Sequence, residues 1–404
     1  IIDDVLINNS SQNQVVIYAV FPTSIDGSCV GDAQTISVTV KPPLDLLLDD
    51  TLAICSGDAV NLNLVSNTEV SFLWYADQNV NVTGESLSAV GGPFITDILV
   101  NNNNEVEQVN YHVVGSSTTN GCSSPIFDII VYVNPTPIIS PLNDTAFCVD
   151  DIVAPINISG NVINTDYNWT NNNISTGLTQ QAGYGNIPGF VAENNTVNPL
   201  ISNINVSCSY TYFNKTCNGD EIDYNITINP DPSVYPVTDL SICNGIASSE
   251  INISGNTPGA TYSWSNSNTT IGLPGVGNGN IPIFIGTNST LSSILGTVSL
   301  TPSFTDHGLT CLGQQETFEI QINPTPKLDI LDTAICSGEF TNLLLTADIQ
   351  SSFEWNAVSN LEVYGETSNP IQNTILINDE LTHYSTLPQN IQYQITPTSI
   401  PHGC

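Results

Sequence analysis

The chain has 404 residues, of which 38 are Asp or Glu and only 3 are Lys or Arg, giving a formal charge of −35 at pH 7. The acids are present at an ordinary frequency and it is the cations that are missing, which argues against binding nucleic acid or an anionic membrane surface, since both need clustered Lys and Arg. Met is absent and no apolar run approaches the roughly 20 residues of a membrane span, so no membrane insertion is expected.

Read from the N-terminus, IDDVLINNSSQNQVVIYAV (2–20) lines up with ITDILVNNNNEVEQVNYHVV (95–114) at the offset that separates Cys29 from Cys122. Residues 1–40 are therefore expected to be the C-terminal part of a truncated repeat. The phrase VTVKPPLDLLLDDTLAIC (38–55) follows, and variants of it return at 131–148, 226–243 and 320–336. Its cysteines, Cys55, Cys148, Cys243 and Cys336, step by 93, 95 and 93 residues. A second series, Cys29, Cys122, Cys217, Cys311 and Cys404, steps by 93, 95, 94 and 93. Trp74, Trp169, Trp264 and Trp355 keep nearly the same spacing, so three independent markers fix a period near 94. The units are 41–134, 135–229, 230–323 and 324–404. The last ends at Cys404 before its final strand, so the sequence reads as a window on a longer polymer. Units 41–134 and 324–404 resemble each other more than the two between them.

Within a unit, apolar and polar residues alternate: Phe318, Ile320 and Ile322 against Thr317, Glu319 and Gln321 before one joint, Tyr224, Ile226 and Ile228 before another. A period of two puts the apolar set on one face of a strand. Phe72, Tyr167, Tyr262 and Phe353 precede the tryptophans by two and share their face, which marks Trp74, Trp169, Trp264 and Trp355 as core aromatics. Asn, Gly, Ser and Pro clusters break the chain about every ten residues and no 3.6 period persists, so each unit is predicted to be an all-β sandwich of about seven strands. Paired prolines, as in Asn134-Pro135-Thr136-Pro137, make a short, stiff connector. Such units should stand end to end as an extended filament, four of them reaching on the order of 150 Å.

Two cysteines per small domain point to an oxidising, extracellular compartment. Two connectivities are open. One pairs Cys55 with Cys122, Cys148 with Cys217, Cys243 with Cys311 and Cys336 with Cys404, inside each repeat. In a sandwich those positions fall at opposite poles, about 20 Å apart, whereas a disulfide needs Cα atoms within about 7 Å. A staple across each joint, Cys55 to Cys217, Cys148 to Cys311 and Cys243 to Cys404, is slightly favoured on that ground. Cys208 belongs to neither series; it aligns with Val113 and Val20 and is expected to be a buried unpaired thiol.

The strings GYGNIPGFVAENNT (183–196) and GNGNIPIFIGTNST (277–290), the endings AVFPTSIDGSC and ITPTSIPHGC, and the joint N-P-T-P followed by I-C-S-G resemble the PKD-like repeats of Bacteroidota surface proteins. The resemblance is closest to the giant gliding-motility adhesins of the SprB type. It implies tandem Ig/PKD-like β-sandwich repeats, export by the type IX secretion system, and a place at the cell surface as an outer-membrane-anchored filament. It also implies partners in the motility and secretion machinery, and contact with surface polysaccharide or substratum through regions outside this sequence. O-glycosylation at a D-[ST]-[small or aliphatic] motif would fall on Thr51, Thr145 and Thr333. The third unit departs from that motif with Asp239-Leu240-Ser241, and an Asp that caps a turn explains all four positions equally well. Asn-x-Ser/Thr triplets carry little weight in so Asn-rich a chain.

No catalytic, cofactor-binding or metal-binding residue is assigned. His112, His307, His383 and His402 occupy unrelated repeat positions and read as lone surface histidines. Asp50, Asp144, Asp239 and Asp332 recur near the joints, but no loop supplies the several further oxygens that Ca²⁺ needs. A non-enzymatic shaft, extending an adhesive tip and carrying force to it, is the reading the repeat favours. Its rivals are a carbohydrate-binding array and the stalk of a secreted enzyme.

Overall fold

The structure, a computed structural model, describes residues 1–118 and 121–404. Among these residues the regular elements are strands and two single-turn 3₁₀ helices. The same four-part sheet recurs, and its parts can be named by role. The leading strands are Thr51–Cys55, Thr145–Cys148 and Leu240–Cys243. The tryptophan strands are Val70–Ala76, Asp166–Asn171, Thr261–Asn266 and Ser351–Val358. The long strands are Gln14–Val20, Glu107–Ser117, Leu200–Tyr212, Ile294–Asp306 and Gln392–Ser399. The closing strands are Gln34–Val40, Phe127–Asn134, Ile222–Asn229 and Glu316–Asn323.

In the three complete repeats the order is leading, closing, long, tryptophan, with the leading strand parallel to the closing strand and the rest antiparallel. Among the described residues no sheet passes from one repeat to the next. Short pairs such as Leu62–Asn63 with Phe94–Ile95, and Ile152–Val153 with Phe190–Val191, form the second layer of each sandwich. Alternation in the closing strands sends Ile129, Val131 and Val133, then Tyr224, Ile226 and Ile228, then Phe318, Ile320 and Ile322 inward; all are buried. The tryptophans lie 2–5% exposed at the centre of the four clusters, with Phe72 and Phe353 buried beside them and Tyr167 and Tyr262 half-buried.

Two solutions fill the space over the indole, and they separate the outer repeats from the inner pair. In the outer type, Tyr111 packs 5.9 Å from Trp74 and its hydroxyl donates to Asp97 Oδ2 at 2.8 Å; Tyr393 packs 5.8 Å from Trp355 and donates to Asp379 Oδ2 at 2.9 Å. The same carboxylates accept the backbone N–H and hydroxyl of Ser86 or Thr367, which pins the second layer to the first. Tyr18 with Asp4 repeats the pair in residues 1–40. In the inner type, Ile204 and Val298 take the tyrosine's place in the register, and a glycine covers the indole. A Cβ on Gly183 would meet Trp169 Cζ2 at 2.3 Å, and one on Gly277 would meet Trp264 Cζ2 at 2.1 Å. Gly185 and Gly279, two residues on, have φ of +67° and +69° and donate their N–H to the carbonyls of Tyr167 and Tyr262. Asn186 and Asn280 then accept the N–H of Ile158 and Ile253, and Ile187 and Ile281 are fully buried. The string G-x-G-x-I-P is thus a device for turning the chain tightly over a tryptophan.

The accessible surface is 23400 Å² for a mass of 43.1 kDa. A compact monomer of that mass would expose about 15,000 Å², whereas a string of separate domains of about 94 residues would expose about 22,500 Å². The repeats are therefore strung out and bury little against one another.

Gly183→Ala should destabilise the second complete repeat by about 1–3 kcal/mol through overpacking on the indole. Gly185→Ala, where no atom lies within 4 Å of a Cβ, should cost about 1 kcal/mol from backbone strain alone. Tryptophan fluorescence during denaturant unfolding measures both; equal losses would refute the packing role of Gly183.

Candidate functional site at the repeat joints

The joint begins where the closing strand ends. Asn134, Asn229 and Asn323 are buried there, followed by Pro135 and Pro137, Pro230 and Pro232, and Pro324 and Pro326, which are buried too, with the residue between each pair exposed. Proline fixes φ and has no N–H to satisfy, so these segments pack without orphaning a donor. The chain then lies across its own repeat: a Cβ on Gly160 would meet Ile138 O at 2.4 Å, and one on Gly219 would meet Pro137 O at 2.0 Å. The joint is a packed element.

From the following repeat a hairpin reaches back over the joint. Tyr212 and Lys215 pair across a two-residue turn in which Phe213 and Asn214 have φ of +45° and +57°, the type I′ geometry that matches strand twist. His307 and Gly308 form the same turn one repeat later. The first hairpin covers Asn134, whose Nδ2 donates to the carbonyls of Tyr212 and Lys215, both at 3.1 Å. Tyr212 and Phe213 pack on Tyr132 of the preceding repeat at 5.3 and 5.5 Å, and Lys215 Nζ reaches Asp58 at 3.1 Å. That ion pair is half exposed and contributes little by itself. At the third joint Ser293 Oγ bridges Asn323 Oδ1, at 2.7 Å, and His402 Nε2, at 3.2 Å.

The two hairpins carry Cys217 and Cys311, Cys404 follows the turn after Gln392–Ser399, and the leading strands carry the first cysteine of each pair. The disulfides run across the joints: Cys55–Cys217, Cys148–Cys311 and Cys243–Cys404, with Cα separations of 5.5, 5.6 and 5.5 Å. Each closes a loop of 161 to 163 residues, so the three loops overlap. Cys29 and Cys336 are exposed thiols; Cys122 is half-buried, its carbonyl accepting the N–H of Ser117.

Cys208 is 3% exposed, 3.6 Å from Pro137 O, and burial raises its thiol pKa, so it is a neutral, inert thiol. Its place in the register differs from the expected one. It lies opposite Tyr167 as Gly115 lies opposite Phe72, Pro302 opposite Tyr262 and Pro397 opposite Phe353; the counterpart of Val113 is Val206. The hairpins of the inner repeats are two residues longer, and a shift of two keeps the strand face, so alternation alone does not reveal it.

His112 also departs from expectation. Its imidazole is wedged between Asp128, at 2.6 Å, and Asp77, at 3.1 Å, on the ring of Tyr75. The hydrogen bond to Asp128 raises its pKa against the opposing effect of burial, with Asp77 adding to the rise. His383 is likewise half-buried, its Nδ1 enclosed.

Thr145 and Thr333 are exposed and Thr51 is half-buried. Two of the four recurring acids, Asp144 before Thr145 and Asp239 before Leu240, have a structural task. Asp144 accepts the N–H of Asn225 at 2.7 Å, which with the Asn225 side chain lowers its pKa, and Asp239 accepts the N–H of Glu319 at 2.7 Å. Each thus satisfies an edge N–H of the closing strand where the leading strand begins. No group of three or more His, Cys, Asp or Glu that could hold a metal ion occurs among the described residues. No helix among them is long and apolar enough to cross a membrane.

Sequence reasoning missed one recurrent group. Asn8, Asn101, Asn194 and Asn288, 6–9% exposed, each donate Nδ2 to a carbonyl at the end of a closing strand, Val40, Val133, Ile228 or Ile322, all at 2.8 Å. Their Oδ1 atoms accept the N–H two residues on. The spacing of 93, 93 and 94 was available, but three of the four stand in Asn-x-Ser/Thr triplets and were set aside with them.

Residues 1–43, 52–137 and 333–404 match the family described as PKD-like domain. Those segments are similar to PKD-like domains. The matched segments are those in which a tyrosine and an aspartate pair, Tyr18 with Asp4, Tyr111 with Asp97 and Tyr393 with Asp379. No curated protein matches the chain. Among solved structures, the human desmocollin-1 ectodomain is similar at 10% identity and a TM-score of 0.22, over 96% of this chain and 83% of that one. The titin I-band fragment I67–I69 is similar at 10% identity and a TM-score of 0.37, over 71% and 100%. The ICAM-5 D1–D4 fragment is similar at 9% identity and 0.34, over 88% and 98%.

Mass spectrometry of the non-reduced, proteolysed chain should recover Cys55 with Cys217 and Cys148 with Cys311; recovery of Cys55 with Cys122 would replace the staples by internal pairs. A pKa raised in the folded state gives His112 a stabilising contribution that is fully present below its ordinary value near 6.5 and is lost as pH rises through the raised value. Denaturant unfolding of the first complete repeat should therefore show stability falling as pH rises above about 6.5, and His112→Gln should flatten that fall. An unchanged slope would refute the contribution.

Proposed function

We propose that these PKD-like repeats form part of the shaft of a secreted cell-surface adhesin, holding an adhesive region away from the cell and transmitting tension to it. The reading includes gliding motility as its setting, the type IX secretion route, an outer-membrane-anchored filament, and surface polysaccharide or substratum as what the parent protein touches through other regions. O-glycosylation of exposed Thr145 and Thr333 is part of the same proposal. The role is non-catalytic.

The observation that carries it is the placement of the disulfides across the joints. A force applied between the ends enters the first complete repeat and crosses directly from Cys55 to Cys217. It then runs along residues 217–243 and crosses again from Cys243 to Cys404. The covalent path between the ends therefore includes only residues 1–55 and 217–243. Everything else lies in closed loops that tension cannot draw out while the disulfides hold. Such wiring limits extension and suits a tether. The carbohydrate-array reading needs aromatic platforms at matching positions; the tryptophans are buried, and exposed Tyr184 has Asn278 as its counterpart.

Single-molecule pulling from the two termini tests the proposal. The oxidised chain should stop extending at about 290 Å, from 80 residue steps of at most about 3.6 Å, and the reduced chain should reach about 1450 Å. An oxidised chain that pays out several repeats' length before rupture would sink the tether reading.

A further inference from the structure

The three staples do not share the work equally. Their first cysteines, Cys55, Cys148 and Cys243, step by 93 and 95 residues, while each bond spans 161 to 163. A span longer than one period and shorter than two makes each staple open before the preceding one has closed. Cys148–Cys311 therefore overlaps both of its neighbours, whereas Cys55–Cys217 and Cys243–Cys404 are separated by residues 218–242. Every peptide bond between Cys55 and Cys404 lies inside at least one closed loop, and those of residues 148–217 and 243–311 lie inside two.

The stretch between the outer staples is the one that carries load. On the covalent path between the ends, tension leaves the first staple at Cys217 and enters the third at Cys243, so the backbone between them is pulled and Cys148–Cys311 is bypassed. This stretch holds the closing strand Ile222–Asn229, the connector with Pro230 and Pro232, and the leading strand Leu240–Cys243. It is also open to attack. Asn218, Asp220 and Glu221 are exposed before the closing strand, and Asp231, Tyr235 and Pro236 are exposed in the connector. Exposed loops are where proteases cut. Of the three staples only Cys148–Cys311 spans this stretch.

We propose that Cys148–Cys311 is a reserve link, which bears no tension in the intact, taut chain and keeps the two ends covalently joined after a protease cuts the backbone between Cys217 and Cys243. A single cut anywhere between Cys55 and Cys404 then leaves one covalent molecule. After a cut within residues 218–242 the load passes along residues 1–148, crosses to Cys311, and returns along the chain to Cys243 and the third staple. The joining is a matter of connectivity and holds whatever the chain carries. That the reserve serves a tether rests on the reading given above.

A protease recognition sequence placed between Asp220 and Glu221 of the oxidised full chain is the test. After cleavage the free thiols are alkylated and the mass is measured under denaturing conditions. Without reductant the cut chain should keep the mass of the whole molecule, and with reductant it should part into two fragments. The double variant Cys148→Ser, Cys311→Ser should part without reductant. The double variant Cys243→Ser, Cys404→Ser, which loses as many bonds, should stay whole. Fragments that separate from the cut parent chain without reductant, or a cut Cys148→Ser, Cys311→Ser chain that stays whole, overturn the proposal. The measurement applies no force, so its outcome is independent of the pulling experiment that tests the tether.

Discussion

A sulfur–sulfur bond at each joint ties the end of one repeat's leading strand to a hairpin on the repeat that follows, and the remaining features of the joint arrange themselves around that requirement. The two cysteines must approach within about 7 Å between Cα atoms. The hairpin must therefore project beyond its own sandwich, which its type I′ turn allows, and the connector must be short and fixed, which the buried prolines achieve. Asn134 satisfies two hairpin carbonyls that the overlap would otherwise bury unpaired. The packed contacts in turn hold the cysteines in register. Without such packing a loop of more than 160 residues would close at a large entropic cost.

The domain is small enough for this to matter. A sandwich of about 94 residues buries a modest share of its surface, so its margin of stability is a few kcal/mol. The core answers with one tryptophan per repeat and a neighbour shaped to it. The two neighbours found, a tyrosine bonded to a carboxylate or a glycine pressed on the indole, are not interchangeable. The tyrosine needs an aspartate and a hydroxyl-bearing residue at fixed places in the second layer. The glycine needs the tight turn of G-x-G-x-I-P. This is a physical reason for the likeness between residues 41–134 and 324–404, and the segments that match the family are of the tyrosine type.

The period, the strand alternation and the buried face of the tryptophans were legible because each leaves a regular mark: spacing near 94, a repeat of two, and a bulky apolar residue in phase with it. What was hidden depended on side chains meeting across layers. The Asp97 and Asp379 carboxylates look like surface acids in the sequence, and nothing local to Asp97 points to Tyr111. The flank of His112 is built from Asp77 on one strand and Asp128 on another, a meeting that sheet order alone creates. Cys208 was misplaced because a two-residue lengthening of a hairpin preserves the face of a strand while moving its partners. The buried asparagines before each closing strand were in phase with the cysteines. Asparagine is common enough here that phase, rather than residue type, was the usable signal.

Charge placement bears on how such chains meet. The three lysines of the chain, Lys41, Lys215 and Lys327, all lie at or across joints, where Lys215 reaches Asp58 and the Lys327 N–H donates to Asp348. The faces of the sandwiches are left with acids and no lysine. Two chains laid side by side would bring like charges together with no cations to bridge them, and salt near 0.15 M weakens that repulsion only beyond about 8 Å. Lateral bundling is therefore opposed along the whole length. The same depletion of cations that argues against binding nucleic acid thus also opposes the packing of neighbouring chains side to side.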